Sequence, residues 1–319
     1  MRAAVIRSFD RPPRYETHDP PEPNGPDQTL VDVLAAGLHP RVRSGASGSH
    51  YTSTGNLPMI PGVDGVGRLP DGRAVYFVVS DDTWGSMAER AVVDLRRTVP
   101  LPEAVDVARV AAAMNPAMSA WVALRRRVPL QAGQSVLVLG ATGSAGGMAV
   151  QIAKLLGAGR VVGAGRDPVR LAELPAAGAD DVVALDDDPE GTAARLAAAA
   201  AEVDVVIDYL WGEPATATMT ALLKARADRS RALDWIQIGS VAGPTVELPS
   251  ALLRQANLRL QGNGQGSVST AAYVAELPSL VDEIDRGSLT VNVRPAPLAD
   301  VEAVWIAPEV SGTRTVLVP

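Results

Sequence analysis

Residues 135–158 read SVLVL followed by GATGSAGGMAVQIAKLLGA. Ser135–Leu139 is an apolar, β-branched run long enough for a buried strand. A glycine cluster follows at Gly140, Gly143, Gly146 and Gly147. Met148, Ile152, Leu155 and Leu156 then fall on one face of a helix, and Gly157 stands where such a helix ends. Strand, glycine turn and helix together are the context of a dinucleotide site. The glycines let the chain turn tightly and approach a pyrophosphate, and the free N–H groups at the helix start face its charge. Gly140, Thr142, Gly143, Ser144, Ala145 and Gly146 are therefore the candidate cofactor cradle. Their spacing is G-x-x-G-x-x-G rather than the commoner G-x-G-x-x-G, so the flanking strand and helix carry the reading.

Downstream the chain alternates strand with helix. The expected pairs are 160–164 with 168–177, 181–185 with 189–201, and 203–209 with 213–225; strands at 233–238 and 257–261 follow. This is the pattern of an α/β, doubly wound parallel sheet. Arg166 follows the second strand, where NAD enzymes place an acid for the ribose hydroxyls. An arginine there suits a 2′-phosphate; the alternative is a solvated arginine on a turn. Asp167-Pro168 reads as an N-cap followed by proline at the first helical position. Arg170 is a second candidate for the phosphate. Asp208, Tyr209 and Trp211 end the fourth strand and Gly239, Ser240 and Val241 the fifth, at the edge where a cofactor lies; Trp211 could equally be packing. Gly264, between Gly262 and Gly266, permits close approach of a ligand or makes a hinge.

Residues 1 to about 120 look mainly β, with strands expected at 2–7, 30–35, 74–79 and 90–93. Residues 11–28 read as a surface connection, 39–57 as a long polar loop and 61–67 (PGVDGVG) as a tight turn. Two helices are expected at 104–113 and 115–127. After Gly266 the pattern gives a helix at 270–286, a strand near 290–294, a short helix at 299–306 and a last strand at 313–318. That tail is expected to return to the first domain.

At 319 residues the chain is long enough for two domains, and 47% hydrophobic with 20% charged residues marks a globular protein. A net charge of −7 without a dense basic block argues against nucleic acid. There are no cysteines, which excludes disulfides, thiolate zinc sites and cysteine nucleophiles together. No G-x-S-x-G elbow is present for serine hydrolysis. The first residues make a poor signal peptide and no run is long enough to span a membrane, so a cytoplasmic place is expected.

Several stretches together resemble the medium-chain dehydrogenase/reductase superfamily, on its zinc-independent quinone oxidoreductase branch. They are MRAAVIRSFD at the start, LAAGLHP at 34–40, PGVDGVG at 61–67, GSMAER at 85–90 and the glycine stretch. AGADDVV at 177–183, VVIDYLWG at 205–212 and IQIGSVAG at 236–243 complete the set. Zinc-dependent members carry a Cys within the place of Leu38-His39-Pro40, and Gly-His-Glu where this chain has Gly62-Val63-Asp64. They also carry a four-Cys lobe with no counterpart here. The resemblance implies a Rossmann nucleotide domain (121–262) inserted in a mainly β, GroES-like catalytic domain (1–120 and 263–319). It also implies hydride transfer with no metal and a cofactor in a cleft between the domains; Arg166 in place of the acid makes that cofactor NADPH. The substrate would lie against the loop after residues 30–35. That loop holds His39, where many members have Asn, and Tyr51, which could donate a proton; for each, plain surface display is the alternative, and His18 and His50 are read as surface. The expected activity is hydride transfer from NADPH to a quinone or an α,β-unsaturated carbonyl. The alternatives are an enoyl-thioester reductase of the same superfamily and a catalytically silent NADPH-binding or sensor protein. Relatives suggest a homodimer.

Overall fold

A computed structural model describes residues 1–79, 83–308 and 310–319. The chain divides into two compact units, Met1–Asn115 with Leu277–Pro319, and Pro116–Glu276.

In the first unit β1 (Arg2–Val5) pairs antiparallel with β2 (Arg14–Thr17). The strands that follow are β3 (Gln28–Leu38), β4 (Asp64–Arg68), β5 (Ala74–Val78), β6 (Arg90–Asp94) and β7 (Thr98–Pro100). A short helix α1 (Pro40–Ala46) follows β3, and α2 (Val107–Val122) leaves the unit. The second unit carries six strands among the described residues: β8 (Ser135–Leu139), β9 (Arg160–Gly165), β10 (Asp181–Ala184), β11 (Val205–Asp208), β12 (Leu233–Gln237) and β13 (Leu258–Gly262). Between and after them run α3 (Ser144–Leu155), α4 (Pro168–Glu173), α5 (Pro189–Ala200), α6 (Gly212–Ala225), α7 (Ser250–Arg254) and α8 (Thr270–Val274). The chain then returns to the first unit with α9 (Leu277–Asp285), β14 (Asn292–Pro297), α10 (Val301–Ile306) and β15 (Thr313–Val318).

The six strands of the second unit are all parallel, in the order β10-β9-β8-β11-β12-β13. Val136–Leu139 and Val205–Ile207 are wholly buried, as a parallel sheet covered on both faces requires. Leu137, Val162, Met219, Leu222 and Trp235 centre one core cluster. The chain runs outward from β8 to β10, then restarts beside β8 with β11 and runs the other way. Ligands of such sheets bind outside the strand ends where that reversal occurs, here after β8 and β11.

In the first unit β3 is the hub. It pairs antiparallel with β4, β6 and β15, and β15 in turn pairs parallel with β14. A strand near residue 315 therefore completes a sheet begun near residue 30.

Several expectations are corrected. The 11–28 connection contains β2, held by pairing with β1 from Arg2 against Thr17 to Val5 against Arg14. The 39–57 loop opens with α1, where Pro40 starts the helix and Val42 and Ala46, four apart, are buried. The turn at 61–67 is half strand: Asp64–Gly67 belong to β4. Gly65 is there because a Cβ would lie 2.8 Å from the backbone oxygen of Ala35. The two helices at 104–113 and 115–127 are one helix, α2, closed by a π-type turn at Ala123–Arg127. Pro116 inside it costs a hydrogen bond, but Val110–Met114 and Ala120–Leu124 are buried on nearly every side and hold it. The helix at 270–286 is two, broken at Glu276, whose buried carboxylate takes ion pairs from Arg125 and Arg126. Those contacts, and Asn263 donating to the Ser119 carbonyl at 2.9 Å, keep residues 263–276 with the second unit.

Leu137 is fully buried at the middle of β8. Leu137→Ala is expected to destabilise the protein by about 2–5 kcal/mol, read as a lower urea midpoint. A change under about 1 kcal/mol would mean the sheet core is looser than its packing indicates.

Candidate functional site

The turn after β8 is fixed by its own backbone. The amides of Gly140 and Ala141 both donate to the Ala164 carbonyl, at 2.9 and 2.8 Å. Gly140 holds a left-handed φ of 85°. Gly146 is packed so closely that a Cβ there would collide with the Gly140 oxygen and stand 2.7 Å from Ala141 Cα. Gly143 is the N-cap of α3 and brings no side-chain acceptor. The first-turn amides of Ser144, Ala145 and Gly146 have no acceptor among the described residues. A helix of twelve residues thus presents bare N–H groups and the positive end of its dipole at a cradle built from backbone. This is what a pyrophosphate needs. Thr142 closes the side of the turn against Gly165 at the end of β9.

Arg166 extends from that end into solvent. It pairs with Asp187 at 3.3 Å, and the two side chains are 77% and 96% exposed. Such a pair contributes at most about 1 kcal/mol and exchanges readily for a stronger anion. Asp167 accepts from the amides of Val169 and Arg170 at 3.0 and 3.2 Å and caps α4, with Pro168 next to it. Arg170 is largely covered and ion-paired with Glu173. One of its terminal nitrogens lies beside Gly147 in the first turn of α3, and its buried Nε has no hydrogen-bond partner among the described residues.

The turn after β11 stands next to the cradle: a Cβ on Gly140 would be 3.2 Å from Leu210 Cδ2 and 3.3 Å from Tyr209 Cβ. The Asp208 carboxylate is fully buried and committed to the protein. It accepts from the amides of Leu210 (2.8 Å) and Trp211 (3.0 Å) and from Trp235 Nε1 (3.0 Å). Burial pushes its proton affinity up, and those donors oppose the shift. What Asp208 offers a ligand is therefore the shape of the turn. Trp211 takes a left-handed φ of 55° ahead of α6, and its ring packs against the core cluster. Tyr209 is buried with its hydroxyl 2.9 Å from Ser119 Oγ, and burial raises its phenol well above the usual range. Gly239 is pressed against the Tyr209 backbone and its carbonyl accepts from Gln237 Nε2 at 2.9 Å. Ser240 and Val241 are exposed. Gly264 is exposed in a small turn closed by Ser267. Sequence reasoning missed Ser119 and Trp235, because each is joined to the site only by contacts distant along the chain; it also missed Gln237, whose bond to Gly239 is local but carries no motif.

In the first unit His39 and Tyr51 stand in different surroundings. His39 is buried, 1% exposed, with Nε2 3.0 Å from Asp64 Oδ1. Burial lowers its proton affinity, Asp64 opposes this, and the charges of Arg314 and Arg41 add to the lowering. Tyr51 is 71% exposed and its ring lies on that of His50, centroids 4.2 Å apart. His50 is half-buried rather than on the surface; it and Arg41 share the Thr52 hydroxyl at 2.9 and 2.7 Å. Among the described residues no group of three or more His, Cys, Asp and Glu could hold a metal. Among them no helix is long and apolar enough to cross a membrane.

Comparison with known proteins agrees with this geometry. The family model for zinc-binding dehydrogenases matches residues 145–283. Over the whole of both chains the sequence is 31% identical to tdiC of Emericella nidulans, described as a probable NADPH-dependent quinone reductase. It is also 31% identical to the Arabidopsis thaliana chloroplastic NADPH-dependent alkenal/one oxidoreductase, over 42% of this chain and 39% of that one. The quinone oxidoreductase of Thermus thermophilus, solved alone and with NADPH, superposes with a TM-score of 0.83 over 100% of both chains at 26% identity. The chain belongs to the medium-chain dehydrogenase/reductase superfamily, on its quinone reductase branch.

The His50 ring is held down to a pKa of about 4 by burial and by Arg41. A depressed histidine is neutral when folded, so the unfolded chain binds the proton first. Stability is expected to fall as pH drops from about 6.5 toward 4. An NMR titration should place the His50 midpoint near 4. A midpoint at the ordinary 6.5 would show the ring to be solvated.

Proposed function

We propose that this chain is an NADPH-dependent oxidoreductase that reduces a quinone or an α,β-unsaturated carbonyl without a metal. The observation that carries the cofactor is the backbone cradle of Gly140–Gly146, with its uncapped amides and with Arg166 one residue past the end of β9. NADPH, when bound, supplies the hydride. The amides of Ser144, Ala145 and Gly146 take the pyrophosphate, and Thr142 lines its flank. Arg166 exchanges Asp187 for the 2′-phosphate, with Arg170 as a second positive charge. The turns at Asp208–Trp211 and Gly239–Val241, with Gly264 beyond, hold the rest through backbone groups. His39 and Tyr51 are the candidates for handling the proton that accompanies the hydride.

The donor set supports the metal-free reading. The chain has no cysteine. Leu38 and Asp64 stand at the places where zinc-dependent relatives carry ligands; one Asp64 oxygen lies 3.0 Å from the neighbouring His39 Nε2 and the other accepts from Tyr76 at 2.8 Å. No thiolate and no unspent carboxylate oxygen is left there for a tetrahedral ion.

The test is steady-state NADPH oxidation against a panel of quinones, enones and enoyl thioesters, before and after exhaustive chelation. Turnover with quinones or enones is expected, unchanged by chelation. A stoichiometric metal whose removal stops turnover would sink the metal-free reading. Turnover confined to thioesters would shift the substrate class, and tight NADPH binding without any oxidation would make the protein a silent binder.

Arg166 tests cofactor choice. A charge-assisted hydrogen bond contributes roughly 1.5–3 kcal/mol, so Arg166→Ala is expected to weaken NADPH binding by about ten- to a hundredfold. NADH binding should hardly change. Fluorescence titration of both cofactors against both proteins gives the answer; equal losses would make Arg166 merely structural.

A further inference from the structure

The end of β10 stands level with the end of β9: Ala184 is opposite Gly165, and the Leu185 amide donates to the Gly165 carbonyl at 2.8 Å. Arg166 follows the one strand, and Asp186, Asp187 and Asp188 follow the other. Three successive carboxylates repel one another, so each calls for a compensating contact. Two of them hold the turn. Asp186 Oδ1 accepts from Thr192 Oγ at 3.0 Å and from the Asp188 amide at 3.2 Å, and its Oδ2 accepts from Arg195 at 2.7 Å. Asp188 caps α5 by accepting from the Gly191 amide at 3.1 Å.

Asp187 has neither task. Its carboxylate makes one contact among the described residues, with Arg166, and Arg166 has no other ion pair among them. The braced neighbours on either side carry Asp187 to that arginine. Arg170, the second cation, is answered differently. It pairs with Glu173 three residues on along the same helix and lies against the first turn of α3. Arg170 is 18% exposed where Arg166 is 77% exposed, so its pair is partly shielded from water while the other lies in it. Of the two, the Arg166 pair is the one that an incoming anion can open.

We propose that Asp187 is a specificity-determining residue: it holds Arg166, competes with the 2′-phosphate of NADPH for it, and so narrows the preference over NADH. This rests on the reading of Arg166 given above. A guanidinium engaged by a carboxylate cannot offer the same N–H groups to a phosphate. Phosphate binding therefore breaks one charge-assisted pair before it forms another, and it leaves Asp187 close to a second anion. NADH carries a hydroxyl in that place and needs no such exchange. The 2′-phosphate is the same in NADPH and in NADP+, so the competition weakens both alike. A cofactor consumed at each turnover has to leave oxidised, and a phosphate site without a competitor would hold the spent form as firmly as the fresh one.

An exposed ion pair contributes up to about 1 kcal/mol, or about fivefold in a binding constant. Asp187→Asn is therefore expected to tighten NADPH and NADP+ by about three- to fivefold at low salt and to slow NADP+ dissociation by the same factor. NADH should bind as before. Adenosine 2′,5′-bisphosphate, which has the 2′-phosphate and no nicotinamide, should gain as NADPH does. The experiment is titration calorimetry of these four ligands, with stopped-flow release of NADP+, on the parent, Asp187→Asn, Arg166→Ala and the double variant. Competition for Arg166 requires the gain to vanish where Arg166→Ala is already present. Glu190→Gln removes an exposed carboxylate in the first turn of α5 and should change nothing. An unchanged NADPH affinity in Asp187→Asn, an equal gain for NADH, a gain that persists in full without Arg166, or an equal gain from Glu190→Gln overturns the proposal. If Arg166→Ala weakens neither cofactor, the reading of Arg166 fails as well, whereas a parent that prefers NADPH through Arg166 with Asp187→Asn silent overturns this inference alone.

Discussion

The first turn of α3 lies against the carbonyl of Gly140 at a distance that leaves no room for a side chain on Gly146. That approach sets the angle at which α3 leaves the sheet, and so which way its first amides face. It also brings the turn up to Leu210 and Tyr209, so that the ends of β8 and β11 form one surface. Asp208 serves the same surface from below: a buried carboxylate, satisfied by two amides and an indole, keeps the second turn from relaxing. The cradle is thus made of backbone held rigid by packing. Binding there needs little reorganisation, which is where rigid sites gain their affinity.

The first unit solves a different problem. It encloses a histidine, an aspartate and a tyrosine where an antiparallel sheet could have been wholly apolar. The cluster is satisfied along its length by Tyr76, Asp64 and Ser86 and open only at the imidazole. A polar network of this kind restrains rotamers more tightly than apolar packing, because each member loses a hydrogen bond if it turns.

The parallel sheet was legible because its strands are continuously apolar and its turns are punctuated by glycine, both local signals. The capping role of Asp167 was legible for the same reason: Asp-Pro ahead of a helix has one economical use. What could not be read was set by partners far along the chain. Residues 14–17 look like a polar linker until β1 supplies their hydrogen bonds. Asp64 looked like part of a glycine turn because its strand is defined by β3 and β5. Tyr76 carried no signal at all, since its partner is twelve residues away across a strand register. Asp208 was visible as the residue ending a strand, but Trp235, which shows where its carboxylate points, is a strand away.

The pairing of Thr315 with Leu38 has a consequence for how the molecule is made. Every strand pairing of the second unit lies between residues 135 and 262, so all its sheet partners have left the ribosome while the chain is still growing. The first unit begins earlier and finishes later. Until β15 emerges, β3 lacks one of its neighbours and exposes an unpaired edge, the kind of surface that invites pairing with other chains. The second unit, encoded between the two halves of the first, can therefore complete its sheet earlier, and synthesis must pass residue 318 before the sheet that carries Asp64 can close.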